Sequence, residues 1–203
     1  MAEAALAPVH RSDEILDLIR GTFAEKGFDG ASMQDLARAA GMSVGNFYRY
    51  FPSKAAIVEA IVLRDLDHVR RDFDDILAAP DPMQRLREVL CHRIEVETCK
   101  GDPSLWAEIT AMAHRRPEIG AICAGMEAEI ARLLVEIFAR VCAIPSTEAQ
   151  RHFGAHAALL VLLVKAWSLD GMRAGGAGSD LKPLLLRTIQ MTLDEVARSK
   201  AKG

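Results

Sequence analysis

Apolar positions recur along the chain with the period of amphipathic helices. No stretch alternates with the period of two that marks a half-buried strand, and there is no internal repeat. Leu16, Ile19 and Phe23 form one stripe. Ser12 is placed to cap it, and Gly27 closes it with Lys26 in the last turn and Phe28 able to fold back in a Schellman-type contact. Ser32 to Asp35 is a capping box that opens a second helix, interrupted at Gly41. Ser43 caps a short third helix, which Pro52 ends. A fourth follows Ser53 to about Leu77, stopped by Pro80 and Pro82. A fifth runs from about Met83 to Cys99 and ends at Gly101. Asp102-Pro103 opens a sixth, and Pro117 ends it and opens a seventh, reaching about Cys142 before Pro145. An eighth follows Ser146 to about Arg173; after the GGAGS loop, Asp180 caps a ninth, with Pro183 at its third position. The expectation is an all-α chain of about nine helices.

The pattern changes near residue 53. Three short helices with sharp turns precede it, and longer helices with broader apolar faces follow. The division expected is a compact helix-turn-helix module over residues 1–52 and a larger helical body over 53–203, the part to which the resemblance given below assigns ligand binding and dimerisation. The short pair meets the demands of a helix-turn-helix. Ala37 is small where the helices cross, and Gly41 tolerates positive φ in the turn. Leu36, Ala40, Met42, Phe47 and Tyr50 are expected to face the shared core.

Composition adds to this picture. The chain has 203 residues, 50% hydrophobic and 26% charged, with net charge −3 and 5% aromatics. Yet SVGNFYRYFPSK, residues 43–54, gathers both tyrosines, two phenylalanines, an asparagine and two cations with no acid. From Leu36 to Val58 the charged residues are Arg38, Arg49 and Lys54, a local +3 in an acidic protein. A major groove takes a helix whose N-terminal residues meet base edges and whose flanks meet phosphate. Ser43, Val44, Asn46, Tyr48 and Arg49 share the face that would do so. Gly45 would let the backbone approach, and Lys54 adds a cation at the next helix start. Phe47, Tyr50 and Phe51 are expected to be largely core aromatics.

The segment ILDLIRGTFAEKGFDGASMQDLARAAGMSVGNFYRYFPSKAAIVEAI resembles the N-terminal domain of TetR/AcrR family transcriptional repressors. F-x-x-K-G-F, S-V-G-x-x-Y-x-Y-F and F-x-S-K carry the likeness, over about residues 12–61. Trp106, Glu108 and RRPEI at Arg115 to Ile119 resemble the junction of the sixth and seventh helices in some members. The resemblance implies a homodimer, a palindromic operator and a repressor released by a small-molecule effector. It places Ser32, Ser43, Val44, Gly45, Asn46, Tyr48, Arg49, Tyr50 and Lys54 at DNA-facing positions. Val44 stands where some members carry a polar or basic residue; it can touch a thymine methyl but cannot hydrogen-bond a base.

Helices eight and nine are apolar around more than one face, which fits burial on two sides in a four-helix dimer interface. An effector cavity is expected among helices four to eight, with Phe73, Met83, Trp106, Ile109, Met112, Met126, Ile130, Leu133, Leu163 and Trp167 as candidate lining. Met and Trp suit an adaptable apolar pocket, and Glu95, Glu97 or Glu108 could hold a cationic group. His152 and His156 are spaced i, i+4 without an evident third ligand, so no metal is expected, nor any cofactor. Cys91, Cys99, Cys123 and Cys142 lack CxxC spacing and read as reduced, mostly buried thiols. There is no cationic leader, and the most apolar run, 157–164, is too short to span a bilayer, so a cytoplasmic protein without membrane partners is expected. An enzyme and a scaffold are the competing readings. The enzyme has no nucleophile motif, metal set or phosphate loop to support it, and the scaffold leaves Asn46, Tyr48 and Lys54 unexplained.

Overall fold

The computed structural model describes residues 8–95, 103–170 and 178–199. Among them the chain is helical, without strands: α1 (Pro8–Gly30), α2 (Met33–Ala39), α3 (Val44–Tyr50), α4 (Lys54–Ala78), α5 (Pro82–Glu95), α6 (Pro103–Ala113), α7 (Pro117–Cys142), α8 (Ser146–Asp170) and α9 (Gly178–Ser199). The Cys99–Gly101 end of helix five, the Asp102 cap and most of the GGAGS loop lie outside the described residues. So do Glu97 and the 171–173 end of helix eight.

The chain divides into two compact units: residues 1–65 with 104–123, and 66–103 with 124–203. The first therefore takes in more than the 1–52 segment marked out by the sequence. Three helices in about fifty residues enclose only a small core. Ile15, Ile19 and Phe23 of α1, Leu36 of α2 and Phe47 of α3 are buried along with Ile57, Val58, Ile61 and Val62 of α4 and Leu105, Ile109 and Met112 of α6.

Local signals account for most helix ends. Ser32 Oγ accepts from Asp35 N–H while Asp35 accepts from Ser32 N–H, a complete capping box. Ser53 Oγ caps α4 through Ala56 N–H at 3.1 Å, and Asp81 caps α5 through Gln84 N–H at 3.0 Å. Each such cap contributes about 1 kcal/mol. Two expectations are corrected. α1 starts at Pro8, a good first helical residue, so Ser12 lies inside it. α9 starts at Gly178, so Pro183 falls at its sixth position and Asp180 is helical, not a cap. α7 ends at Cys142 as expected, in a Schellman turn with Ala143 at φ 55 and Ile144 N–H bonding Ala139 O at 3.1 Å; an alanine there gives no glycine signal to read.

The second unit packs the end of α4 with α5, α7, α8 and α9 around Phe73, Leu86, Phe138, Phe153, Leu160 and Ile189. Trp167 pins α8 to α5 by donating Nε1–H to Ile94 O at 3.1 Å. Over Ser146–Leu169, α8 has the length and mean hydropathy, 1.4, of a membrane-crossing helix. That differs from the expectation drawn from its eight-residue apolar core, because its polar residues are too sparse to lower the average. In this fold Phe153, Ala157, Leu160 and Trp167 pack into the unit's core, while Leu159 and Leu162 are exposed. On α9, Leu185, Ile189, Leu193 and Val196 are buried and Leu181, Leu184 and Met191 are exposed.

Candidate nucleic-acid interface

The turn between α2 and α3 is fixed by Gly41 at φ 64, a left-handed value that glycine adopts without strain. Met42 N–H bonds Ala37 O at 2.9 Å and Gly41 N–H bonds Arg38 O at 3.0 Å, closing α2 in a Schellman turn. Ser43 then caps α3 through Asn46 N–H at 3.3 Å. Ala37 is fully buried at the crossing.

Phe47 (0% exposed) and Phe51 (3%) anchor α3, their ring centroids 5.6 Å apart. Around that anchor Ser43, Val44, Gly45, Asn46, Tyr48, Arg49 and Tyr50 are all exposed. Tyr50 was expected in the core; it is exposed and only its flank meets Phe51, at 6.5 Å between centroids. Met42 is half-buried. The core positions on α3 and beyond are 47 and 51, one turn apart, and position 50 lies off that stripe.

Ser32 and Lys54 are engaged differently. The Ser32 hydroxyl donates to Asp35 Oδ2 at 2.6 Å and accepts from Asp35 N–H, so its donor is spent within the box. Hydrogen bonds from Ser32, then Lys26, hold the Asp35 carboxyl well below the usual carboxylate range. Lys54 is partly buried, and its ammonium donates to the carbonyls of Phe28 at 2.6 Å and Asp29 at 3.3 Å. It also stands 5.2 Å from the centroid of the Phe28 ring.

The first unit holds this module with residues from far along the chain. Glu108 Oε1 accepts the N–H of Phe28 at 3.0 Å. Arg116 pairs with Asp29 at 2.7 Å, its guanidinium 5.8 Å from the Phe28 centroid. Trp106 Nε1 donates to Asp65 Oδ2 at 3.0 Å, and Arg20 approaches the same carboxylate at 3.7 Å. Glu108, a candidate holder of a cationic ligand group by sequence, instead gives its carboxylate to a backbone donor. The family resemblance marks Trp106, Glu108 and Arg116 as a pattern, but nothing local names their partners, since each contact joins residues tens of positions apart.

Of the candidate effector-lining residues, Phe73, Met83, Leu133 and Trp167 sit in the second unit's buried core, with Ile130 and Leu163 packed against it and Met126 half-buried. Trp106, Ile109 and Met112 belong to the first unit, the last two fully enclosed. Glu95 is exposed. His152 lies 3.7 Å from Glu148 and His156 3.5 Å from Glu195. Among the described residues no three His, Cys, Asp or Glu side chains gather as a metal set. Cys91, Cys123 and Cys142 are free thiols and half-buried, where mostly buried thiols are expected from the sequence; Cys99 lies outside the described residues.

Residues 15–61 match the model for bacterial regulatory proteins of the tetR family. The HTH-type transcriptional regulator UidR of Escherichia coli (strain K12) is 29% identical over 108 residues, 53% of this chain and 54% of that protein. The HTH-type transcriptional repressor KstR2 of Mycolicibacterium smegmatis is 34% identical over 80 residues, 39% of each chain. These matches span about half or less of the curated relatives' length. Salmonella enterica GusR superposes with a TM-score of 0.68 at 24% identity, over 95% of this chain and all of that one. A transcriptional regulator from Rhodococcus sp. Rha1 superposes at 0.64 with 19% identity, over 95% of this chain and 97% of that one. Those two likenesses carry the fold along nearly the whole chain. The tetR-family segment at residues 15–61 is thus seated on an α2–turn–α3 unit of the expected geometry, and the chain carries the N-terminal segment of bacterial regulatory proteins of the tetR family.

Proposed function

We propose that the protein is a ligand-responsive transcriptional repressor that binds a palindromic operator as a homodimer and is released by a small molecule. The observation that carries this is the face of α3: Val44, Asn46, Tyr48, Arg49 and Tyr50 exposed around a helix whose anchors are Phe47 and Phe51. Arg49 and the tyrosine hydroxyls supply phosphate contacts, Asn46 a base or phosphate contact, and Val44 a thymine methyl. The likeness to a KstR2 repressor favours repression.

Residues 1–52 read DNA in this proposal, and 53–203 provide dimerisation and the effector site. The exposed Leu159, Leu162, Leu181, Leu184 and Met191 of α8 and α9 supply the apolar surface for a second copy. Phe73, Met83, Met126, Ile130, Leu133, Leu163 and Trp167 supply adaptable apolar lining for the effector. α4 runs unbroken from one unit into the other and is the element through which effector binding is felt. A dimer engages two half-sites about 34–36 Å apart, so a small change in that separation breaks paired contacts together.

The test is selection of a duplex from a random-sequence library by the wild-type chain, followed by titration across salt. A two-fold symmetric site with steep salt dependence is expected. Recovery of no sequence above background, or of an asymmetric half-site alone, overturns the proposal. Once an effector is found, its affinity must fall with saturating operator by the factor by which it weakens DNA binding.

A further inference from the structure

We propose that Glu108 is a positioning residue for the DNA-reading module, an inference that rests on the DNA-binding function proposed above. In a Schellman end the N–H of Phe28 would return to the carbonyl of Phe23. Gly27 instead adopts φ 67, ψ 169, a region essentially reserved for glycine, and the chain leaves α1 in a different direction. The stacking of Phe28 on Phe23 survives, with centroids 5.6 Å apart. The Phe28 N–H goes to Glu108 Oε1. Phe28 is only 3% exposed, so losing this acceptor leaves a donor with little access to water.

The consequence runs along the backbone. With Phe28 N–H held, the carbonyls of Phe28 and Asp29 are presented to Lys54 at the start of α4. Ala31 N–H bonds Gly27 O at 3.1 Å, and Ser32 follows as the cap of α2. Both ends of the α2–turn–α3 unit, residue 32 and residue 54, are thus fixed to the segment that Glu108 holds. Glu108 is itself seated on α6, which is anchored by buried Leu105, Ile109 and Met112 and by the Trp106–Asp65 hydrogen bond. Its carboxylate is an acceptor for protein backbone and brings no cation to DNA. It therefore acts on operator affinity through the pose of α2 and α3, with no phosphate contact of its own.

Three variants and two readouts test this. Glu108→Ala removes the acceptor, and Glu108→Gln keeps an oxygen where Oε1 stands. Amide exchange over residues 27–36 reads the pose without DNA, and titration across salt against the duplex selected by the wild type reads it with DNA. Glu108→Ala is expected to lose protection over 27–36 and to bind about tenfold more weakly, the loss expected for a hydrogen bond to a charged acceptor. Its slope of log affinity against log salt should be unchanged, because no phosphate contact is removed. Glu108→Gln is expected to restore both. If Glu108→Ala does not fold, Glu108→Asp, shorter by one methylene, is expected to lose part of the protection. Wild-type protection in that variant or in Glu108→Ala overturns the inference. Equal weakening by Ala and Gln, or a changed salt slope, also overturns it. If the wild type selects no duplex, the repressor reading fails, and amide exchange alone still decides whether Glu108 sets the pose.

Discussion

The ammonium of Lys54 donates to the carbonyl of Phe28 at 2.6 Å and stands over the ring of the same residue. A lysine at a helix start in a basic patch reads as a phosphate contact, yet two of its three donors are used within the protein.

Lys54→Ala is therefore expected to lower stability by about 1 kcal/mol, seen in urea unfolding, and to weaken DNA binding while lowering the salt slope by less than one. Arg49, exposed on α3, should behave oppositely. Arg49→Ala should leave stability within about 0.5 kcal/mol of wild type and lower the salt slope by about one. A full unit of slope lost with Lys54 and none with Arg49 would reverse these roles.

The apolar positions of α8 and α9 separate into two groups. Leu160 (1% exposed) packs in the chain's own core, whereas Leu162 (60%) and Leu184 (48%) face outward. Leu162→Asp or Leu184→Asp should give a folded monomer, measured by light scattering with circular dichroism. Leu160→Asp should unfold the chain, because the charge would be buried unpaired. A dimer that survives both outward substitutions would remove these residues from the interface.

Two glycines of α1 are expected to respond with opposite sign. Gly27→Ala forces a side chain into φ 67, ψ 169 and places its Cβ 3.4 Å from Glu108 Oε1; it should cost about 1–3 kcal/mol in urea unfolding. Gly21 lies within the helix with nothing inside 4 Å of an added Cβ. Gly21→Ala should stabilise by about 0.5–1 kcal/mol.

Glu129 on α7 lies between Arg132, at 2.8 Å, and Arg70 of α4, at 3.1 Å. Hydrogen bonding to Arg132, then Arg70, outweighs desolvation and holds its carboxyl at about 2, below the usual 4.5. A depressed carboxylate stabilises the fold above its unfolded value and loses that contribution as pH falls toward the folded one. Stability should thus decline between about pH 4.5 and 2, and Glu129→Gln should flatten that portion of the profile. The effect is at most about 1 kcal/mol for a pair this close to solvent. An unchanged profile in the variant would place the acid sensitivity elsewhere.

The sequence by itself determined what is local. Period, caps and breakers lie within four residues of one another, so the helices, the Ser32–Asp35 box, the Gly41 turn and the Phe47 anchor were all legible. The exposed face of α3 was legible too, because a seven-residue helix with a known anchor has one outward side. What only the tertiary structure decided involves partners distant in sequence or signals with no residue preference. Tyr50 leaves the core to Phe51. Lys54 turns back to α1, and α7 ends on an alanine in a left-handed turn. The Phe28 N–H finds its acceptor 80 residues away on α6, a choice made by packing rather than by any local preference of the chain.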